Sequence, residues 1–313
     1  MNDSSKRDSI LRGLHVLDGG FASELEYLGA SIDGPLWSAR ALEEVPDMVI
    51  AVHRAYIEAG AGCILTASYQ ISRMGYVEAG FAPSRADDAL NRSIELARAA
   101  CAEFPERRIV VAASLGPYGA ALHNGAEYHG DYECSFDSLV RFHRERIAAL
   151  AESEYSADIL AFETLPSLEE ALAIAQALDT WPDLAAWFSF TCRDGRHVAH
   201  GEPLSECANA MAVLPQTAAI GINCTAPGLI LSLIKELRRV SNKPILVYPN
   251  SGEGWDAAAR SWTGAADAAG YGAMAARWFA AGAQIVGGCC RTRPEHIREV
   301  AAAAKALRHF RNT

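Results

Sequence analysis

The feature that most constrains this chain is a regular alternation of short apolar runs with longer amphipathic ones. Eight short runs qualify as strands: LHVLDGG (14–20), CILTASY (63–69), IVVAASLG (109–116), DILAFETL (158–165), AAWFSFTC (185–192), AAIGINC (218–224), PILVYPN (244–250) and QIVGGCC (284–290). Most are apolar throughout, as parallel strands covered on both faces are. Between them the periodicity predicts helices near 41–59, 86–103, 137–153, 168–179, 204–213, 228–240, 271–281 and 294–308. This arithmetic predicts an α/β fold, a (β/α)8 TIM barrel, and 313 residues suffice for one. The competing arrangement is a doubly wound open sheet.

Connection lengths point the same way. Helix-to-strand connections are short, as at Ser241, Asn242 and Lys243, whereas strand-to-helix connections are long at about 21–40, 117–136, 193–203 and 251–270. A barrel enzyme builds its site from the strand-to-helix loops, at the C-terminal ends of the strands. Residues 1–12 read as a polar, frayed leader and 13–313 as a single barrel domain. The net charge of −10, without a basic cluster, argues against nucleic acid or an anionic membrane as partner. No apolar run reaches the ~18 residues of a membrane-spanning helix. The first residues lack the apolar stretch of a secretory signal, so the expected location is cytoplasmic.

Eight cysteines in a chain of this length are not a disulfide scaffold. Three of them fall at predicted strand ends: Cys224 in GINC, and Cys289 and Cys290 in GGCC. In a closed barrel these two strands are separated by one other, so the three thiols converge at one mouth. Three thiolates with a vacant fourth position suit Zn²⁺. The adjacent pair raises an objection, because successive strand residues point to opposite faces. Both reach one ion only if the chain turns at Cys290, which Gly287 and Gly288 permit. A vicinal disulfide is the alternative, disfavoured in a reducing compartment. Cys63, Cys101, Cys134, Cys192 and Cys207 read as small buried hydrophobes, although Cys192 also ends a strand.

At these residues a family becomes recognisable. LDGGFASELE (17–26), TASYQ (66–70), ETLPS (163–167), GINC (221–224), YPNSGE (248–253) and GGCCRTRPEHI (287–297) resemble the zinc-dependent homocysteine S-methyltransferases. The resemblance runs from about residue 13 to 309. DGPLWSARAL (33–42), GPYGA (116–120), EYHGDYECS (127–135) and AWFSFT (186–191) are closest to the stand-alone branch, which uses S-methylmethionine or S-adenosylmethionine. The resemblance implies zinc held by Cys224, Cys289 and Cys290. It also implies that Asp18 and Glu163, carboxylates at the ends of the first and fourth strands, hold the amino group of L-homocysteine; an ammonium is their natural counterion. Two other readings stay open: a homocysteine-activating module serving a separate corrinoid methyl carrier, and a betaine-dependent enzyme.

Further residues follow from their positions. The backbone at Gly19 and Gly20 offers close approach to the substrate carboxylate. Thr66 and Ser68 are candidates for polar contacts near the second strand's end. Asn223 and Asn250 are candidates for orienting a ligand or capping a turn. Trp37, Tyr118, Tyr128, Tyr132, Trp255 and Trp262 stand on long loops, where aromatic faces stabilise a sulfonium as they do an ammonium, or simply pack a lid. His123, His129, His197 and His200 read as loop surface, since three thiols already supply the ligands. GGFASE lacks the third glycine of a dinucleotide fingerprint, and no Ser-His-Asp order stands out.

Overall fold

The computed structural model describes residues 9–30, 36–256, 261–263 and 267–311. Seven parallel strands lie side by side in the order β1 (Cys63–Leu65), β2 (Val110–Leu115), β3 (Ile159–Leu165), β4 (Ala186–Phe190), β5 (Thr217–Asn223), β6 (Ile245–Tyr248) and β9 (Ile285–Val286). Residues 15–18 join the two edges. Leu17 N–H donates to Val286 O at 2.9 Å, and Asp18 N–H donates to Cys63 O at 3.1 Å. Single bridges pair Val16 with Val286 and Leu17 with Cys63. This segment is the eighth stave, and the sheet closes into the expected (β/α)8 barrel.

The first and last staves are shorter than the runs 14–20 and 284–290 suggest, and their glycines allow two backbones to approach closely. A Cβ on Gly287 would lie 2.7 Å from Asp18 O, and one on Gly20 would lie 2.5 Å from Cys289 O. Side chains at either position would push the staves apart.

Alternation along the strands divides the apolar residues into two layers. Trp187 points into the barrel with Val110, Ala112, Ile159, Ala161 and Leu246. Phe188, Phe190, Ile220 and Ile222 face outward into the core beneath the helices. The barrel interior is therefore packed.

Helices follow the predicted positions with local differences. The run 41–59 is two helices, Trp37–Glu44 and Pro46–Ala59. Pro46 has no N–H to continue the first helix and disfavours helical geometry at Val45, but it fits the first turn of the second. The long connections also carry short helices, Phe21–Tyr27, Arg73–Glu78 and Tyr118–Ala121, a 3-10 turn at Ala126–Tyr128 and the antiparallel hairpin β7 (Gly254–Asp256) and β8 (Ser261–Thr263). Elements this short show no readable period. Leu11 and Leu14 are buried at the foot of the barrel interior, and Arg108 donates to Ser9 O and Ile10 O. Among the described residues, no helix is long and apolar enough to cross a membrane.

Candidate functional site

The inward columns turn polar towards the C-terminal ends of the strands. Val110 and Ala112 lead to Ser114 on β2, and Ile159 and Ala161 lead to Glu163 on β3. Above them opens a cavity of about 210 Å³, lined by Thr66, Glu127, Tyr128 and the three cysteines, among others.

The Sγ atoms of Cys224, Cys289 and Cys290 all lie within 4.8 Å of one another. Cys224 and Cys290 are 3.6 Å apart, and Cys289 and Cys290 are 4.0 Å apart. Sulfurs around a tetrahedral ion at about 2.3 Å sit about 3.8 Å apart, so the donor set fits such an ion. Hydrogen bonds from Cys224 and Cys289 hold the Cys290 thiol well below its usual range.

Local backbone explains how adjacent cysteines share one centre. The strand stops at Val286, and the chain turns so that Thr292 N–H donates to Cys289 O at 3.1 Å. Thr292 packs against Gly288, where a Cβ would meet its Oγ1 at 2.2 Å. Cys224 itself is left-handed, with φ 48°, as are Thr164 (59°) and Arg291 (64°). Non-glycine residues in this region carry strain that their surroundings must hold.

Asn223 is one such hold. Its Oδ1 accepts from Thr164 N–H at 2.7 Å, and its Nδ2 donates to Thr164 Oγ1 at 2.7 Å. It thereby ties the irregular end of β3, which carries Glu163, to the segment that carries Cys224. Asn223→Ala leaves the buried Thr164 N–H unpaired and should destabilise the fold by about 1–3 kcal/mol. A thermal melt of the variant checks this, and an unshifted midpoint would refute it.

Both expected carboxylates are buried; Glu163 lines the cavity, whereas Asp18 is not among its lining residues. Asp18 Oδ2 accepts from Leu65 N–H at 2.8 Å, while its buried Oδ1 has no partner among the described residues. Burial, reinforced by the charge of Glu163, raises the Asp18 carboxyl well above its usual range. Glu163 accepts from the Ser114 hydroxyl, and burial pushes its carboxyl up to about 7. Each is an acceptor that a bound cation would stabilise in its charged form.

The other predicted residues are placed unevenly. Gly19, Gly20, Thr66 and Asn223 line the cavity. Ser68 does not; fully buried, it donates to Ser114 O at 2.8 Å and pairs with Thr66 Oγ1 at 2.6 Å, bracing two residues that do. Asn250 also stands outside the lining, with its N–H donating to Thr225 O at 3.1 Å.

Of the loop aromatics, Tyr128 reaches the thiols, its hydroxyl 3.4 Å from Cys224 Sγ. Tyr118 and Tyr132 pack against each other at a tilt and are anchored on Glu170. That fully buried carboxylate accepts from Tyr118 N–H at 2.5 Å and from the Tyr132 hydroxyl at 2.9 Å, and pairs with His143 Nε2 at 2.9 Å. The side chains of Trp37, Trp255 and Trp262 lie outside the described residues. His129, His197 and His200 pair with carboxylates of Asp131, Asp194 and Glu202, and His123 is exposed. Cys63 sits inside the barrel; Cys192 and Cys207 are buried in the outer core, and Cys101 and Cys134 pack against it.

Sequence reasoning missed Ser114, Tyr69, Gln70, Glu127 and Tyr248 as cavity-lining residues. Ser114 was accessible, since alternation places it inward above two apolar residues. The loop residues gave no periodic signal.

The family model of the homocysteine S-methyltransferases matches residues 15–304. The chain is 46% identical to the homocysteine S-methyltransferase YbgG of Bacillus subtilis over 303 residues, covering 94% of this chain and 96% of that protein. It is also similar to crystal structures of the homocysteine methyltransferase MmuM from Escherichia coli. The oxidised form superposes with a TM-score of 0.84 at 39% identity, and the metallated form with 0.82 at 40%. Each alignment covers 94% of this chain and 99% of the other.

Proposed function

The chain belongs to the homocysteine S-methyltransferase family, and from that premise we propose that it moves a methyl group from a sulfonium donor to homocysteine held at a zinc centre, forming methionine in the cytoplasm. S-methylmethionine is the preferred donor in this reading and S-adenosylmethionine the slower one. The observation that carries it is the convergence of three thiols within 4.8 Å beside two buried carboxylates.

Cys224, Cys289 and Cys290 would hold the zinc, which when bound keeps the homocysteine sulfur deprotonated and in place at neutral pH. Three cysteinate ligands leave the centre anionic, so they favour a nucleophilic sulfur and attract a cationic donor. Asp18 and Glu163 receive the ammonium group of homocysteine, with Gly19 and Gly20 beside its carboxylate. Thr66 lines the same wall and is held by Ser68.

The charge balance favours a sulfonium. The bond between methyl carbon and donor sulfur breaks, its electron pair stays on that sulfur, and a neutral thioether leaves. The new bond forms from a lone pair of the homocysteine sulfur, whose own proton has already gone to solvent. No group has to donate a proton. A folate donor leaves as an amine that needs one, so methyltetrahydrofolate should be inert.

A donor panel with methyl-labelled compounds, zinc-loaded protein and L-homocysteine tests this by mass spectrometry. Labelled methionine should form from S-methylmethionine and more slowly from S-adenosylmethionine. Label arriving from betaine or methyltetrahydrofolate, and from neither sulfonium, would overturn the reading.

A further inference from the structure

We propose that Glu127 receives the α-ammonium group of the methyl donor, with Gln70 as a second acceptor, and so determines which sulfonium compounds the enzyme takes; this rests on the sulfonium reading above. Glu127 lies on the 3-10 turn Ala126–Tyr128, in the connection after β2, and Gln70 lies in the connection after β1. Both line the cavity that holds the thiols. Glu127 Oε2 and Gln70 Oε1 are each shielded from solvent and have no hydrogen-bond partner among the described residues. A desolvated acceptor without a donor costs about 1–3 kcal/mol. Two in one cavity, with no lysine, arginine or histidine among the described lining residues, mark a place for a ligand that brings the donors and the positive charge.

Two ammonium groups must be accommodated near the thiols, one from each substrate. Asp18 and Glu163 stand on the barrel wall and suffice for homocysteine. Glu127 is carried by a different element. It lines the same cavity as Cys290, and burial raises its carboxyl. The segment is firmly seated. Glu170 anchors Tyr118 and Tyr132 on either side of it, and Gly119 packs so closely that a Cβ would lie 2.5 Å from Glu127 N.

The donor carries two positive charges, and the reaction separates their roles. The sulfonium charge disappears as the methyl group moves, so a carboxylate against it would stabilise the ground state more than the transition state. The ammonium charge persists, so pairing with it strengthens binding without opposing the reaction. The signature of Glu127 is therefore in the donor KM.

The test uses zinc-loaded wild-type enzyme and Glu127→Gln with two donors at saturating homocysteine. One donor is S-methylmethionine; the other is its desamino counterpart, (3-carboxypropyl)dimethylsulfonium. In the wild type the desamino donor should have a KM about 10- to 100-fold higher. Glu127→Gln should raise the KM for S-methylmethionine by a similar factor and nearly lose the discrimination between the two. Its homocysteine KM and metal content should stay at wild-type values, which shows the fold and centre intact. A variant that discriminates as the wild type does, or one whose rise falls on the homocysteine KM, overturns the assignment while leaving the sulfonium reading standing. Wild-type protein inert with both sulfoniums overturns both.

Discussion

Cys224→Ser, Cys289→Ser and Cys290→Ser should each strip the bound metal and lower methionine formation by more than about 100-fold. Loss of a group that merely orients a metal ligand typically costs about 10–100-fold, and loss of the ligand itself should exceed that. Serine is nearly isosteric with cysteine, but its hydroxyl stays protonated at neutral pH and is a poor partner for a soft site. The barrel should survive, because the cysteines stand above the packed interior rather than in it. Circular dichroism should therefore be unchanged while metal analysis falls from about one ion per chain towards none. Cys101→Ser is the control. That residue lies in the helix Ser84–Ala102, packed against the outer core, and should change neither readout. Full activity in metal-free protein would refute the metal's role.

What was legible in the sequence divides along a physical line. GINC and GGCC could be read because strand ends in a closed barrel share one mouth, so placement follows from topology alone. Glu163 and Asp18 were legible for the same reason. The short first and last staves were not, since an apolar run does not report that Gly20 and Gly287 must let two backbones touch. Ser68 misled because proximity to a strand end does not say whether a hydroxyl faces the cavity or, as here, the main chain of Ser114. Glu127 and Gln70 fall within EYHGDYECS and TASYQ, but no periodicity marks where their side chains point, since they lie on connections whose path is set by tertiary anchors such as Glu170. The split at Pro46 was readable from the proline, but the continuous apolar period outweighed it.

Asp18→Asn and Glu163→Gln should each raise the KM for homocysteine about 10- to 100-fold, the worth of one charge-assisted hydrogen bond of about 1.5–3 kcal/mol. Both should retain the metal, because neither carboxylate belongs to the thiol cluster. The direction of the pH dependence follows from burial. The Glu163 carboxyl is pushed up to about 7, so in the free enzyme it is largely protonated below neutrality. An ammonium ligand needs the ionised form, and binding below that point must expel a proton. The Glu163 contribution to homocysteine affinity should therefore rise as pH increases from about 6 to about 8 and then level off, by at most about tenfold per pH unit for its one proton. Glu163→Gln cannot ionise and should lose that part of the slope, whereas the part belonging to the homocysteine thiol remains in both proteins. The difference between the two pH profiles thus isolates Glu163. Steady-state kinetics across that range are the measurement. Unchanged KM in both variants, or superimposable profiles for wild type and Glu163→Gln, would remove these carboxylates from the homocysteine site.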